Sequence, residues 1–110
     1  MPLTQSAPKV LHANETTFRD LVLNSKTPVL VDFYADWCGP CRRLAPVLQE
    51  LAAELPEARI VKINVDDSPE LAAEYGIESI PSVKVFKNGQ VTDGVVGLAS
   101  KSQLRAMLAR

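Results

Sequence analysis

The sequence predicts an α/β domain in which a mixed central β-sheet carries helices on both faces, and three observations lead there. Residues 28–35 are apolar at nearly every position, as a strand covered on both sides requires. Leu44, Val47, Leu48, Leu51, Ala52 and Leu55 repeat at helical spacing between that run and a second one at 59–65. Strand, helix, strand in that order implies a right-handed parallel crossover. Finally, Asn88-Gly89 separates two further short runs, 83–87 and 91–96, with the composition of a two-residue hairpin, so the last strands are antiparallel.

The elements follow in order. Residues 10–12 suit a short strand, after which Asn14 caps a helix of about ten residues that turns Phe18, Leu21 and Val22 inward. The long helix begins at Cys38 and runs to Leu55. Pro40 fits its first turn, where a missing N–H costs nothing, whereas Pro46 lies inside and displaces the carbonyl of Arg42, which predicts a kink. Ser68-Pro69 opens a short third helix that Gly76 ends. Ser100 and Gln103 have capping-box spacing, and Leu104, Met107 and Leu108 form the apolar stripe of the last helix. No repeat or linker divides the chain, so residues 9–110 read as one domain. Residues 1–8 carry neither a basic nor an apolar targeting region and read as a loosely held lead-in, with the cytoplasm as the expected address.

Composition narrows the function. The chain has 110 residues, 46% hydrophobic and 23% charged, enough apolar surface for a core without staples. A net charge of -1 with interspersed signs argues against a nucleic-acid or polybasic membrane surface, and no apolar run approaches the roughly 20 residues of a membrane span. The chain is expected to act as a monomer. Only two cysteines are present, Cys38 and Cys41. A bridge between them closes a tiny loop and stabilises little, so the pair points to redox chemistry or to a metal.

Trp37-Cys38-Gly39-Pro40-Cys41 joins the buried strand to the long helix. Cys38 therefore stands at the helix N-terminus, where free N–H groups and the macrodipole favour a thiolate. Cys41 faces the same side one turn in and is more shielded. An exposed thiolate that attacks a disulfide and a second thiol that breaks the mixed disulfide follow from that difference. Zinc needs four ligands, and the only other strong candidate is His12, far away on an early strand and read as an ordinary strand or surface residue, so no metal is expected.

Asp32 interrupts an otherwise apolar strand and loses much of its hydration, a cost of several kcal/mol if it stays charged. One reading is a strand carboxylate paired with a neighbour. The other is a carboxyl of raised pKa beneath the dithiol, suited to accept the proton of Cys41. Lys62, in the adjoining strand, either pairs with Asp32 or carries its ammonium to the surface. Trp37, next to an exposed nucleophile, reads as part of a binding face. Pro81 precedes a strand and cannot donate to its ladder.

These residues resemble a known family. The stretch Asp32-Phe33-Tyr34-Ala35-Asp36-Trp37-Cys38-Gly39-Pro40-Cys41 closely resembles the active-site segment of the thioredoxins. The likeness continues through Ala45-Pro46, Lys62-Ile63-Asn64-Val65-Asp66, Tyr75-Gly76-Ile77, Ile80-Pro81-Ser82, Phe86-Lys87-Asn88-Gly89 and Val96-Gly97, and so covers about residues 9–109. It implies the thioredoxin fold, a redox disulfide between Cys38 and Cys41, and proton transfer assisted by Asp32 with Lys62. It implies a cis-proline at Pro81 and a substrate face made by Trp37, Gly39, Pro40, Val65, Ile80, Pro81, Val96 and Gly97. Protein disulfides would be the substrates, a flavin-dependent thioredoxin reductase the electron source, and no bound cofactor is implied. Tyr34, Arg42 and Ser82 depart from the residues most frequent in the family, and none removes a reacting group.

Two other functions compete with a disulfide reductase. A binding subunit with an incidental dithiol needs neither Asp32 nor Pro81. An oxidant or isomerase of a secretory compartment typically places a His between the cysteines, where this chain has Gly39-Pro40.

Overall fold

The computed structural model describes residues 9–110, and the lead-in expected over residues 1–8 lies outside them. The apolar run after Pro28 forms β2 (Val29–Tyr34), flanked on one side by β3 (Arg59–Asn64) in parallel and on the other by β4 (Ser82–Lys87) in antiparallel register. The two-residue β1 (Leu11–His12) adds to the outer side of β3, and β5 (Gln90–Val96) to the outer side of β4. The sheet order is β1-β3-β2-β4-β5. The mixed sheet predicted from the hydrophobic pattern is the one observed.

Alternation along β2 explains why its sequence is apolar throughout. Leu30 points to the face covered by helices α1 (Gly39–Glu54) and α3 (Lys101–Ala109), where it packs with Ile60, Val83, Leu44, Leu48, Leu51 and Leu104. Val29, Val31 and Phe33 point the other way, under Phe18, Val22 and Leu71, the last from helix α2 (Pro69–Glu74). Asp32 and Tyr34 share the face of Leu30, so both lie on the α1 side. On β3, Ile60 faces that side, and Lys62 follows it two residues on.

Local chemistry accounts for the boundaries. Asn88 and Gly89 both have positive φ (53° and 78°), the hairpin geometry their pair predicts, and a Cβ on Gly89 would come within 3.1 Å of the Leu23 carbonyl oxygen. The Ser100 hydroxyl accepts from the Gln103 N–H at 3.1 Å and caps α3. Helix α1 runs through Pro46, whose position is exposed, so that water can reach the carbonyl its ring leaves unbonded.

The segment after Asn14 departs from expectation. The Asn14 side chain caps as predicted, accepting from the N–H groups of Thr16 and Thr17. No regular ten-residue helix follows. The chain makes a turn and then a widened π-helical stretch, Arg19–Leu23, closed by a bond from the Asn24 N–H to the Arg19 carbonyl at 2.8 Å. The cause lies 38 residues away from Leu21: the Arg59 guanidinium donates to the Leu21 carbonyl at 2.9 Å and to that of Asp20 at 3.3 Å. In a regular helix, Asp20 would serve the Asn24 N–H. Phe18 and Val22 are still buried as predicted.

Candidate active site

At the end of β2 the chain turns tightly, the Cys38 N–H donating to the Ala35 carbonyl, and enters α1 with Cys38 as its N-cap. The Cys38 sulfur accepts the Cys41 N–H at 3.2 Å. A helix N-terminus aims its unbonded N–H groups at this atom, which favours negative charge there. Cys41 lies in the first turn, and the two residues are joined as a disulfide with Cα atoms 5.2 Å apart. Cys38 retains 5% exposure and Cys41 only 1%, so an incoming group meets the Cys38 sulfur first.

A second loop closes over the pair. The Ile80–Pro81 bond is cis, and the Ile80 carbonyl oxygen lies 3.8 Å from the Cys38 sulfur. Among the described residues Ile80 makes no backbone–backbone hydrogen bond. The Gly97 N–H donates to the Pro81 carbonyl at 2.8 Å, which brings Val96 and Gly97 to the same rim. Trp37 is 68% exposed and its indole N–H donates to Asp66 at 2.9 Å, while Val96 is 65% exposed. Gly39 and Pro40 complete the helix end. Val65 and Ile80 are half-buried against Ala35 and the cysteines, and Pro81 is buried. Leu98, one residue beyond Gly97, is a further exposed apolar side chain at 51%. Sequence reasoning missed Leu98, although an apolar residue directly after Val96-Gly97 was its available signal.

Beneath α1, Asp32 is fully buried, and among the described residues neither carboxylate oxygen has a hydrogen-bond partner. No described protein group therefore pairs with this strand carboxylate. Burial pushes its pKa from 3.8 up to about 7, and the positive charge of Lys62 opposes the rise. Lys62 stands across from Asp32 in register but forms no ion pair with it; its ammonium lies over the Tyr34 ring, 4.1 Å from the centroid. Lys62 thus combines parts of the two expected placements: its ammonium lies on an aromatic face, and its charge still lowers the Asp32 pKa. A cleft of about 430 Å³ lined by Tyr34, Ala35, Asp36, Cys41, Arg42, Ala45 and Lys62 gives water access to this side of Cys41.

Farther along the sheet, a second cleft of about 480 Å³ holds His12, Asn14, Tyr34 and Lys62 and includes neither cysteine. His12 is exposed, with its ring edge-on to Tyr34. Among the described residues no three His, Cys, Asp or Glu side chains converge as metal ligands would. No helix of the described residues is long and apolar enough to cross a membrane.

The thioredoxin family model matches residues 9–110. The chain belongs to the thioredoxin family. It is 50% identical over 97 residues to a thioredoxin of Haemophilus influenzae, covering 87% of this chain and 91% of that one. A thioredoxin of Pyropia yezoensis is 48% identical over 100 residues, 90% of this chain and 94% of the relative. A chloroplastic M-type thioredoxin of Chlamydomonas reinhardtii is 49% identical over 92 residues, 83% of this chain and 66% of its own length. With its cysteine pair in bonding position, this thioredoxin is a thiol–disulfide oxidoreductase that reduces protein disulfides by dithiol–disulfide exchange. Membership implies disulfide substrates and a reductase partner in general.

Proposed function

We propose that this thioredoxin turns over with Cys38 as nucleophile and Cys41 as resolving thiol, with Asp32 as the proton acceptor for Cys41. The observation that carries the reading is the full burial of Asp32, with no hydrogen-bond partner among the described residues, on the sheet face beneath α1, the helix that Cys38 caps and that bears Cys41. In the reduced protein the Cys38 thiolate, held by the Cys41 N–H, attacks one sulfur of a substrate disulfide. A mixed disulfide forms and one substrate thiolate leaves. The Cys41 thiol then gives its proton to the Asp32 carboxylate and attacks the Cys38 sulfur, which releases the second substrate thiolate. Two electrons have passed from the dithiol to the substrate, and the Cys38–Cys41 disulfide remains.

Substrate docks on the rim formed by Trp37, Gly39, Pro40, Val65, Ile80, Pro81, Val96 and Gly97. Ile80, which makes no backbone–backbone hydrogen bond among the described residues, supports this, since an extended segment can pair with it while the apolar side chains bury its flanks. Lys62 moderates the charge on Asp32 from across the strand pair. Residues 9–110 form the working unit, acting as a monomer. A thioredoxin reductase fed by NADPH returns the two electrons, and a reducing cytoplasm is the compartment that keeps the dithiol available.

The test is insulin reduction coupled to NADPH oxidation through thioredoxin reductase. Turnover should require the reductase and vanish in Cys38→Ser. Binding of partners without any catalysed reduction would return the chain to the role of an accessory subunit.

A further inference from the structure

We propose that Tyr34 is a positioning residue of the dithiol reaction: its ring holds the Lys62 ammonium away from Asp32, and so leaves the Asp32 carboxylate free to take the Cys41 proton. The inference rests on the reading of Asp32 given above.

The juxtaposition calls for a cause. Lys62 and Asp32 are register partners on adjacent strands and share one face of the sheet, so a lysine stem spans the gap with ease. A buried carboxylate with no hydrogen-bond partner among the described residues attracts an ammonium. The ammonium nevertheless sits 4.1 Å from the Tyr34 ring centroid. Tyr34 lies two residues beyond Asp32 on β2, on the same face, and lines with Lys62 both clefts described above. An aromatic face offers the cation a favourable site while its outer side keeps its water. Entering the layer under α1 would strip that water away.

The other groups around Asp32 leave Lys62 as the cation that matters. Val83 of β4 stands opposite it in register, Leu30 and Tyr34 flank it on β2, and among the described residues Lys62 is the one charged group that acts on it. Around Tyr34 itself lie Asp36 and Asp67, with His12 at the ring edge, 6.5 Å between centroids. Arg42 is engaged with the Asp36 carbonyl at 2.7 Å. Desolvation, reinforced by Asp36, raises the Tyr34 hydroxyl above its ordinary value, so it stays neutral throughout the working range.

The experiment follows the Asp32 carboxyl by 13C NMR through a pH titration in wild type, Tyr34→Phe, Tyr34→Leu and Tyr34→Leu/Lys62→Met. Tyr34→Phe keeps the ring and should keep the Asp32 midpoint. Tyr34→Leu should lower it by about one pH unit, a tenfold change in proton affinity, as the freed ammonium approaches. On the Lys62→Met background the same ring loss should produce no such fall. A midpoint unmoved in Tyr34→Leu, an equal fall in Tyr34→Phe, or a fall that survives without Lys62 would each overturn the proposal.

Single-turnover kinetics of mixed-disulfide resolution supply the second readout, and their pH midpoint should move with that of Asp32. If the carboxyl midpoint moves and the kinetic one does not, Tyr34 has no role in the reaction and Asp32 is not the proton acceptor. In wild type, which needs no variant to fold, the Lys62 ε-methylene protons should show an upfield ring-current shift. Its absence would overturn the placement of the ammonium.

Discussion

Asp32→Ala should stabilise the protein at alkaline pH and lose that advantage in acid. The carboxyl is fully buried without a hydrogen bond, and its pKa stands at about 7 against 3.8 for the free group. Below pH 3.8 the carboxyl is neutral in both the folded and the unfolded chain, and titration contributes nothing. As pH rises from there to about 7, the unfolded chain ionises while the folded one keeps its proton, so stability falls through that window. Above pH 7 the loss is complete. At about 1.4 kcal/mol per pH unit, it amounts to roughly 4 kcal/mol. Truncation to alanine leaves a small cavity that costs roughly 1 kcal/mol. The variant should therefore be more stable than wild type by roughly 3 kcal/mol at pH 9. Between pH 9 and pH 3 the difference should shrink by about 4 kcal/mol. Urea melts of both proteins at a series of pH values measure it. A stability difference that stays flat with pH would refute the argument, because it would mean that the native carboxyl is not held neutral by burial.

Three further outcomes are open to direct test. In the reduced protein, limited iodoacetamide near neutral pH should label Cys38 ahead of Cys41, since Cys38 caps the helix and is the more exposed; peptide mapping with the reverse order would count against the geometry. Leu98→Asp should raise KM for a protein disulfide by about tenfold, the loss of one apolar contact plus the burial of a charge, while reduction of a small aromatic disulfide reagent changes little. Equal effects on both substrates would remove Leu98 from the docking rim. Glu54→Ala should barely move the denaturation midpoint, and less at high salt, because its pairs with Lys101 and Arg105 are exposed to solvent; a clear, salt-independent loss in denaturant melts would contradict that view.

Features dominated by local chemistry were readable from the chain alone. Residues 28–35 announced a central strand because burial on both faces leaves an unbroken apolar run, and Asn88-Gly89 announced its turn because both residues accept positive φ. The place of Cys38 at the start of α1 followed from Pro40 in the first turn and the leucine repeat behind it. Features decided by distant partners were not readable. The widened turn at Arg19–Leu23 depends on the guanidinium of Arg59, and Asp66 meets the Trp37 indole across 29 residues of chain. Asp32 was recognisable as an anomaly, but its lack of any partner required the whole layer under α1. For the same reason spacing alone does not decide where the Lys62 ammonium goes: it stands opposite Asp32 in register, while the aromatic face that takes it belongs to tertiary geometry.

The division of labour between the two sulfurs is most directly tested by trapping. With Cys41→Ser, attack on a substrate disulfide proceeds but resolution does not, so a mixed disulfide should accumulate, and mass spectrometry should place it on Cys38. With Cys38→Ser, the remaining thiol is the one that is 1% exposed, and no comparable adduct should form. Equal trapping by the two variants, or an adduct mapped to Cys41, would contradict the assignment of Cys38 as the nucleophile.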